Sequence, residues 1–307
     1  MATIEKTNGC VPPTEDLPPK AGINRVTLKQ RLATYRHHPV SMVLLILTLL
    51  AILVTASFVA FLIGYIVVMG VPNLSLDLFS WTYTKANGSL MPALINTLIV
   101  TACSLILAVP IGIFAAIYLV EYTGRGNKLV NIIRLTTETL SGIPSIVYGL
   151  FGYLCFVTTF HWGYSLLSGS LTLAIMILPL IIRSTEEALR AVPDSYREGS
   201  FGLGAGRLRT VFSIILPAAI PGILSGVILA IGRIVGESAA LIYTAGTVPE
   251  VAGSLMDSTR PLAVHMWSLS SEGLAIGKSY ATALVLLVIV VGMNGLSGFV
   301  AKKLAKG

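Results

Sequence analysis

The sequence predicts an all-α integral membrane protein whose helices cross the bilayer six times. Charged residues make up 11% of its 307 residues and hydrophobic ones 54%, with a mean hydropathy of +0.83; soluble domains carry about 25% charge. Charge-free runs recur along the chain, long enough for the ~20 apolar residues that a spanning helix needs. Lysine and arginine crowd onto alternate connections, as the positive-inside rule requires of a chain threaded through a membrane.

Residues 1–39 are polar and Pro-rich, then basic (Arg25, Lys29, Arg31, Arg36). They predict a disordered start and a cytoplasmic anchor. No charge occurs between His38 and Asp77, so 41–69 is the first span. It is too long, and too far from the start, for a cleaved signal peptide. Residues 71–91 form an exposed loop in which Trp81 and Tyr83 are expected at the membrane interface. The run 86–120 is the second charge-free stretch, with a helix over 93–119 kinked at Pro110.

A polar turn, 121–131, follows. Between Glu138 and Arg183 lie 44 uncharged residues, enough for two spans, near 135–157 and 168–184, split by HWGYSLLSG. A charged, glycine-rich bracket runs from Arg183 to Phe212. The fifth span is expected over 221–243, a long loop over 244–278, and the last span over 279–300. The chain thus divides into a tail (1–39), a first membrane helix (40–70), a core (71–301) and a short tail (302–307).

Six spans put both ends on one face. Seventeen of the 21 Lys and Arg lie in the two tails, the 121–134 turn and the 183–209 bracket; Lys85, Arg260 and Lys278 lie on the other face. Both termini and the bracket are therefore expected in the cytoplasm. This placement also accounts for the net charge of +7 without a nucleic-acid partner. The cysteines (Cys10, Cys103, Cys155) and four scattered histidines have no metal or redox spacing. With no GxxxxGK[ST], HExxH or Ser-His-Asp pattern, the chain is expected to be no enzyme and to bind no nucleotide or metal.

The bracket holds a pattern: Glu198, the small residues Gly199 and Ser200, three residues, Gly204, nine residues, Ile214, one residue, Leu216, Pro217. This register resembles the EAA loop of ABC-importer permeases, with Gly199 and Ser200 in place of the usual Ala-Ala. Glycine costs ~1 kcal/mol in a helix against alanine, so a helix here should be soft. The resemblance implies a type I importer bundle whose loop folds into a short coupling helix seated in a groove of an ATPase subunit. A plain cytoplasmic connector is the competing reading.

The fifth span, PGILSGVILAIGRIVGESAALIY, carries Arg233 twelve residues past Pro221, ~18 Å along a helix and hence near mid-bilayer. An arginine there costs at least ~2.5–3.5 kcal/mol. Glu237, four residues on, should share its face. Either the two form a self-neutralising pair, or Arg233 faces an anion path and Glu237 orients it. Guanidinium suits the second role, since it stays charged when desolvated and offers a planar fork to oxyanions. GxxxG spacings at 222/226 and 232/236 should let a neighbouring helix approach closely. Arg183 is either an interfacial snorkelling residue or part of the same path.

GRIVGESAALIYTAG (232–246), GIPSIVYGLFG (142–152) and LPLIIRSTEEALRAVP (178–193) are similar to the permeases of the bacterial phosphate importer, most of all its A-type subunit, from about Ala93 to the C-terminus. The resemblance implies a phosphate substrate, two ATPase subunits that bind ATP and magnesium, a sibling permease and an external phosphate-binding protein, in the bacterial cytoplasmic membrane. Importers of molybdate or sulfate share the architecture. A channel or secondary transporter would need no ATPase.

Overall fold

The computed structural model describes residues 39–123, 128–271, 273 and 275–304. The expectations for the N-terminal tail, for the middle of the 121–131 turn and for the end of the C-terminal tail lie outside the described residues. The described residues are mostly helical, without strands. They form two units, 39–62 and 63–304. The first is most of helix α1 (Pro39–Gly70), whose large apolar side chains over 40–62 are nearly all exposed.

In the second unit, α2 (Met91–Ile117) runs into a π turn (Tyr118–Tyr122). Next come α3 (Lys128–Ser141), α4 (Ser145–Gly152) with a π extension (Tyr153–Thr159), and α5 (Leu166–Ala191). The bracket folds as α6 (Asp194–Gly202) and α7 (Arg207–Thr210), with a π turn (Val211–Ile215) leading into α8 (Leu216–Val235). Then follow α9 (Ala239–Thr244), α10 (Leu262–Ser271) and α11 (Ile276–Leu304).

Among the described residues, five stretches are long and apolar enough to cross a membrane, and a bent pair, 130–141 with 145–159, supplies a sixth. The third span, expected near 135–157, is therefore a bent pair of helices. Its halves meet at 100°, because Pro144 takes an extended ψ of 141° and stops α3 from continuing. The fifth span is shifted from the expected 221–243: it runs from Arg207 to Val235, and the end of the expected stretch lies in the separate short helix α9. The expected loop 244–278 contains α10.

α5 is the central helix, with α2 and α8 packed along it and α11 on the far side of α8. It starts where the Ser165 side chain accepts the Ser168 N–H at 3.2 Å, an N-cap. Where hydrocarbon surrounds the helices, hydrophobicity no longer drives them together, and close packing of small residues takes over. The 222/226 glycines serve this purpose. A Cβ on Gly222 would come 2.7 Å from Ala188 Cβ, and one on Gly226 would strike Ser184. Gly112 of α2 meets Ile181 of α5 in the same way, and Ser104 of α2 donates to Ser170 O at 3.0 Å. Away from α6, the 244–262 segment is pinned to α2 by Asn96. Its amide donates to Glu250 O at 2.8 Å and accepts from Ala252 N–H at 3.1 Å.

Candidate functional site

Gly236 ends α8: its N–H returns to Gly232 O at 3.3 Å, and Glu237 N–H to Ile234 O at 3.0 Å. The chain then restarts as α9. Glu237 therefore does not share a helix face with Arg233. Its Oε1 accepts the N–H of Ala240, 3.1 Å away, in the first turn of α9, where a carboxylate is favoured by the free amides and the helix dipole. Among the described residues, no carboxylate lies within ion-pairing distance of Arg233. The expected Arg233–Glu237 pair is not formed, because the helix that would align the two ends between them.

The position of Arg233 along the bundle follows from packing. Gly222 opposes Ala188 and Gly226 opposes Ser184, four residues forward in one helix and four back in the other. Continued, this antiparallel register sets half-buried Arg233 level with Ile177, near the middle of α5. The second glycine spacing works differently: Gly232 faces Asn294 of α11, and Gly236 forms the helix end.

GIPSIVYGLFG meets this break. A Cβ on Gly149 would come 2.8 Å from Ala240 Cα and 3.2 Å from Ala239 O, and one on Gly152 would strike Thr172 and Thr244. Buried Tyr148 donates to Leu140 O at 2.8 Å, bridging the 100° bend, and it lies in the field of Arg233. Two stretches some ninety residues apart thus build one place, where α4 packs closely against α9.

Towards the α6 end, Arg183 pairs with Glu187 at 3.0 Å, both side chains exposed. Buried Glu186 accepts from Arg134 at 2.7 Å and Arg190 at 2.5 Å. These five residues and Glu138 line a cavity of about 140 Å³. The α3–α5 ion pair was not legible from sequence, since Arg134 and Glu186 are 52 positions apart.

The bracket residues separate into inner and outer sets. Glu198, Gly199 and Gly204 are exposed, as is Pro217 in the first turn of α8. Ile214 and Leu216 pack on a buried cluster that includes Ala116, Ile117, Leu189, Val192, Val211 and Ile215. Ser200 turns inward, its Oγ 2.8 Å from Thr210 Oγ1. Gly204 has φ +81°, a backbone that favours glycine. No atom lies within 4 Å of a Cβ placed on Gly199, Gly202, Gly204 or Gly206. Beside these glycines, Leu203 is 91% exposed, and Tyr196, Phe201 and Leu208 are exposed too.

At the opposite end, the Tyr83 ring lies 4.6 Å from the Arg260 guanidinium and packs edge-on against His265. Arg260, in the loop before α10, is 3% exposed and donates Nη1–H to Ser268 Oγ at 3.0 Å; Nε and Nη2 have no hydrogen-bond partner among the described residues. Burial and then the Arg260 charge push the His265 pKa down to about 4, against the opposing pull of the Gly88 carbonyl.

Five or six long apolar helices, closely packed through small residues where they touch, define a polytopic membrane protein. The chain belongs to the family of binding-protein-dependent transport system inner membrane components, whose family model matches residues 108–306. It is 36% identical over 263 residues to a probable ABC transporter permease of Bacillus subtilis, YqgI, covering 78% of this chain and 88% of that one. It is 35% identical over 210 residues to the phosphate transport system permease protein PstA of Mycobacterium leprae (67% and 68% covered). With PstA of Haemophilus influenzae the identity is 33% over 218 residues (70% and 77%). Among solved structures, an alginate ABC transporter chain aligns with a TM-score of 0.60 at 16% identity over 87% of this chain and 98% of that one. A chain of the inward-facing MetNI methionine transporter aligns at 0.53 and 17% identity (70% and 94%). The chain is accordingly a multi-pass inner-membrane component of an ABC importer, a non-catalytic subunit that works with ATPase and substrate-binding partners.

Proposed function

We propose that this chain is a translocation subunit of an ATP-driven importer of inorganic phosphate. One observation carries the reading: Arg233, in the last turn of α8 and level with the middle of α5, has no carboxylate partner among the described residues. A cation at that depth costs several kcal/mol unless something answers its charge, and a passing oxyanion answers it with oxygens that match the guanidinium fork. That the PstA relatives are named for phosphate transport supports phosphate over other oxyanions.

In this reading the chain lines the path with a sibling permease, and an external phosphate-binding protein delivers the anion. Two ATPase subunits, which hold ATP and magnesium, seat their grooves on α6 and its counterpart. Glu198, Gly199, Gly204 and the exposed apolar side chains beside them form the docking face. Ser200, Ile214, Leu216 and Pro217 shape that face from behind. Both termini and residues 190–210 lie in the cytoplasm. ATP binding closes the ATPase dimer and turns the bundle outward; phosphate passes Arg233 and leaves by way of Arg183, and hydrolysis restores the inward state.

The test is uptake of labelled phosphate into vesicles carrying this chain with its partner subunits. ATP-dependent uptake is expected, and Arg233→Gln should abolish it while the complex still assembles. Uptake of molybdate or sulfate in place of phosphate overturns the substrate. Transport by the chain without any ATPase overturns the class.

A further inference from the structure

α6 is fastened to its surroundings in an unusual way. Of its nine residues only Ser200 is buried, and among the described residues α6 adds nothing to the apolar cluster that joins the ends of α2 and α5 to the start of α8. The chain itself ties α6 to α5 and, through α7, to α8. No such covalent route leads to α2. The tie to α2 is polar, and it is made by Arg197.

All five N–H groups of this guanidinium are used. Nη2 donates to Glu121 Oε1 at 2.7 Å and to Leu189 O at 2.9 Å. Nε donates to both Glu121 oxygens, at 3.2 and 3.3 Å. Nη1 donates to Val192 O at 2.9 Å and Asp194 Oδ1 at 3.2 Å. Leu189 and Val192 carry carbonyls at the C-terminal end of α5, which the helix cannot satisfy itself. The Arg197 side chain is 16% exposed and that of Glu121 8%. Such a pair is geometrically exacting, because each charge is costly without the other. Glu121 stands on the π turn that ends α2. The extra residue in that turn re-aims side chains relative to the α-helix below, a device common at functional sites.

We propose that Arg197 and Glu121 form a strut that passes displacement of α6 to α2, so that α6 and the adjoining end of α2 move as one body through the transport cycle. Arg197 is thus a positioning residue, behind the docking face and outside the substrate path. The inference rests on the reading of α6 as the ATPase-docking helix and adds the route by which its motion reaches the second span. A planar fork makes a stiff joint, since two parallel bonds to one carboxylate resist rotation where a single ammonium contact would pivot.

The experiment places spin labels at Ser195 of α6 and Phe114 of α2, both exposed, in the complete complex. Their separation is compared without nucleotide and with ATP bound and hydrolysis blocked. In the wild type the separation should stay the same. In the double variant Arg197→Gln with Glu121→Gln, which leaves neither charge alone, it should change with nucleotide. Uptake should fall about tenfold, within the usual range of coupling between sites, while ATP hydrolysis continues. Arg197→Lys, which keeps the charge and loses the fork, carries the same test if the double variant does not assemble. A wild-type separation that changes with nucleotide overturns the strut, as does a variant with wild-type separation and uptake. Because the strut is read from distances, a wild type that moves but carries another anion overturns the phosphate reading alone.

Discussion

Arg197 and Arg233 carry the same guanidinium in opposite settings. Near α6, Arg197 has every donor engaged, by two carboxylates and two carbonyls. Level with the middle of α5, Arg233 has no carboxylate beside it among the described residues, and Glu237, the one nearby in sequence, is occupied with a backbone amide. Saturated, a guanidinium is a fastener; left open in a bundle, it is a place for something that comes and goes. The contrast also teaches that proximity in sequence is a poor guide to pairing. Glu237 is four residues from Arg233 and does not reach it, whereas Glu121 is 76 residues from Arg197 and does.

The strongest way to break this comparison is to neutralise the open member. Arg233→Gln should reduce phosphate uptake to background with the complex assembled, and Arg233→Lys should remain impaired because the fork is lost. If Arg233→Gln transports normally, an open guanidinium in the bundle is only scaffolding.

A second test uses the buried charge at the opposite end. With its pKa at about 4, His265 is neutral in the folded protein, whereas in the unfolded chain it titrates near 6.5. Its contribution to stability is therefore fully present above pH ~6.5 and is lost as pH falls towards 4, by up to roughly 3 kcal/mol. Thermal unfolding of the purified protein should show this slope, and His265→Gln should flatten it. An unchanged slope would mean that His265 is not the group whose burial sets it.

A smaller effect separates docking from fastening. Leu203→Glu, on a side chain that touches almost nothing in this chain, should weaken ATPase co-purification about tenfold, or ~1.4 kcal/mol, and leave the unfolding temperature unchanged. Gly204→Leu is a poorer probe, since the positive φ of Gly204 strains any larger residue whether or not an ATPase docks. The smallest change is expected from Glu237→Gln, which keeps an acceptor for Ala240 N–H and loses only the charge at the start of α9. Its cost should be ~0.3–1 kcal/mol, read by thermal unfolding; a loss of several kcal/mol would point to an ion pair after all.

The first, second, fourth and sixth spans were legible because a charge-free run of sufficient length has few other uses. The third and fifth spans were only half legible. Pro144 signals a kink, but not that the halves would meet at 100°. Gly236 was read as half of a GxxxG spacing when it is the residue that ends α8, a distinction set by what packs around it. The inward turn of Ser200 was likewise hidden, because its partner, Thr210, lies beyond a glycine loop. External labelling to locate the bracket therefore belongs at Ser195 or Leu203 and not at buried Ser200. The cross-helix pairs Arg134–Glu186 and Arg197–Glu121 depend on the assembled bundle and leave no local trace.

The seam between α5 and α8 limits how the molecule can change shape. Gly222 and Gly226 sit over Ala188 and Ser184 with no side chain between to yield by changing rotamer. Sliding one helix along the other would lift Ser184 out of its slot, and the next comparable seat lies one helical turn on, an advance of about 5.4 Å. Displacements smaller than that leave the seam latched. The compliance of the bundle then lies at 142–144 and 236–238, where one helix ends before the next begins.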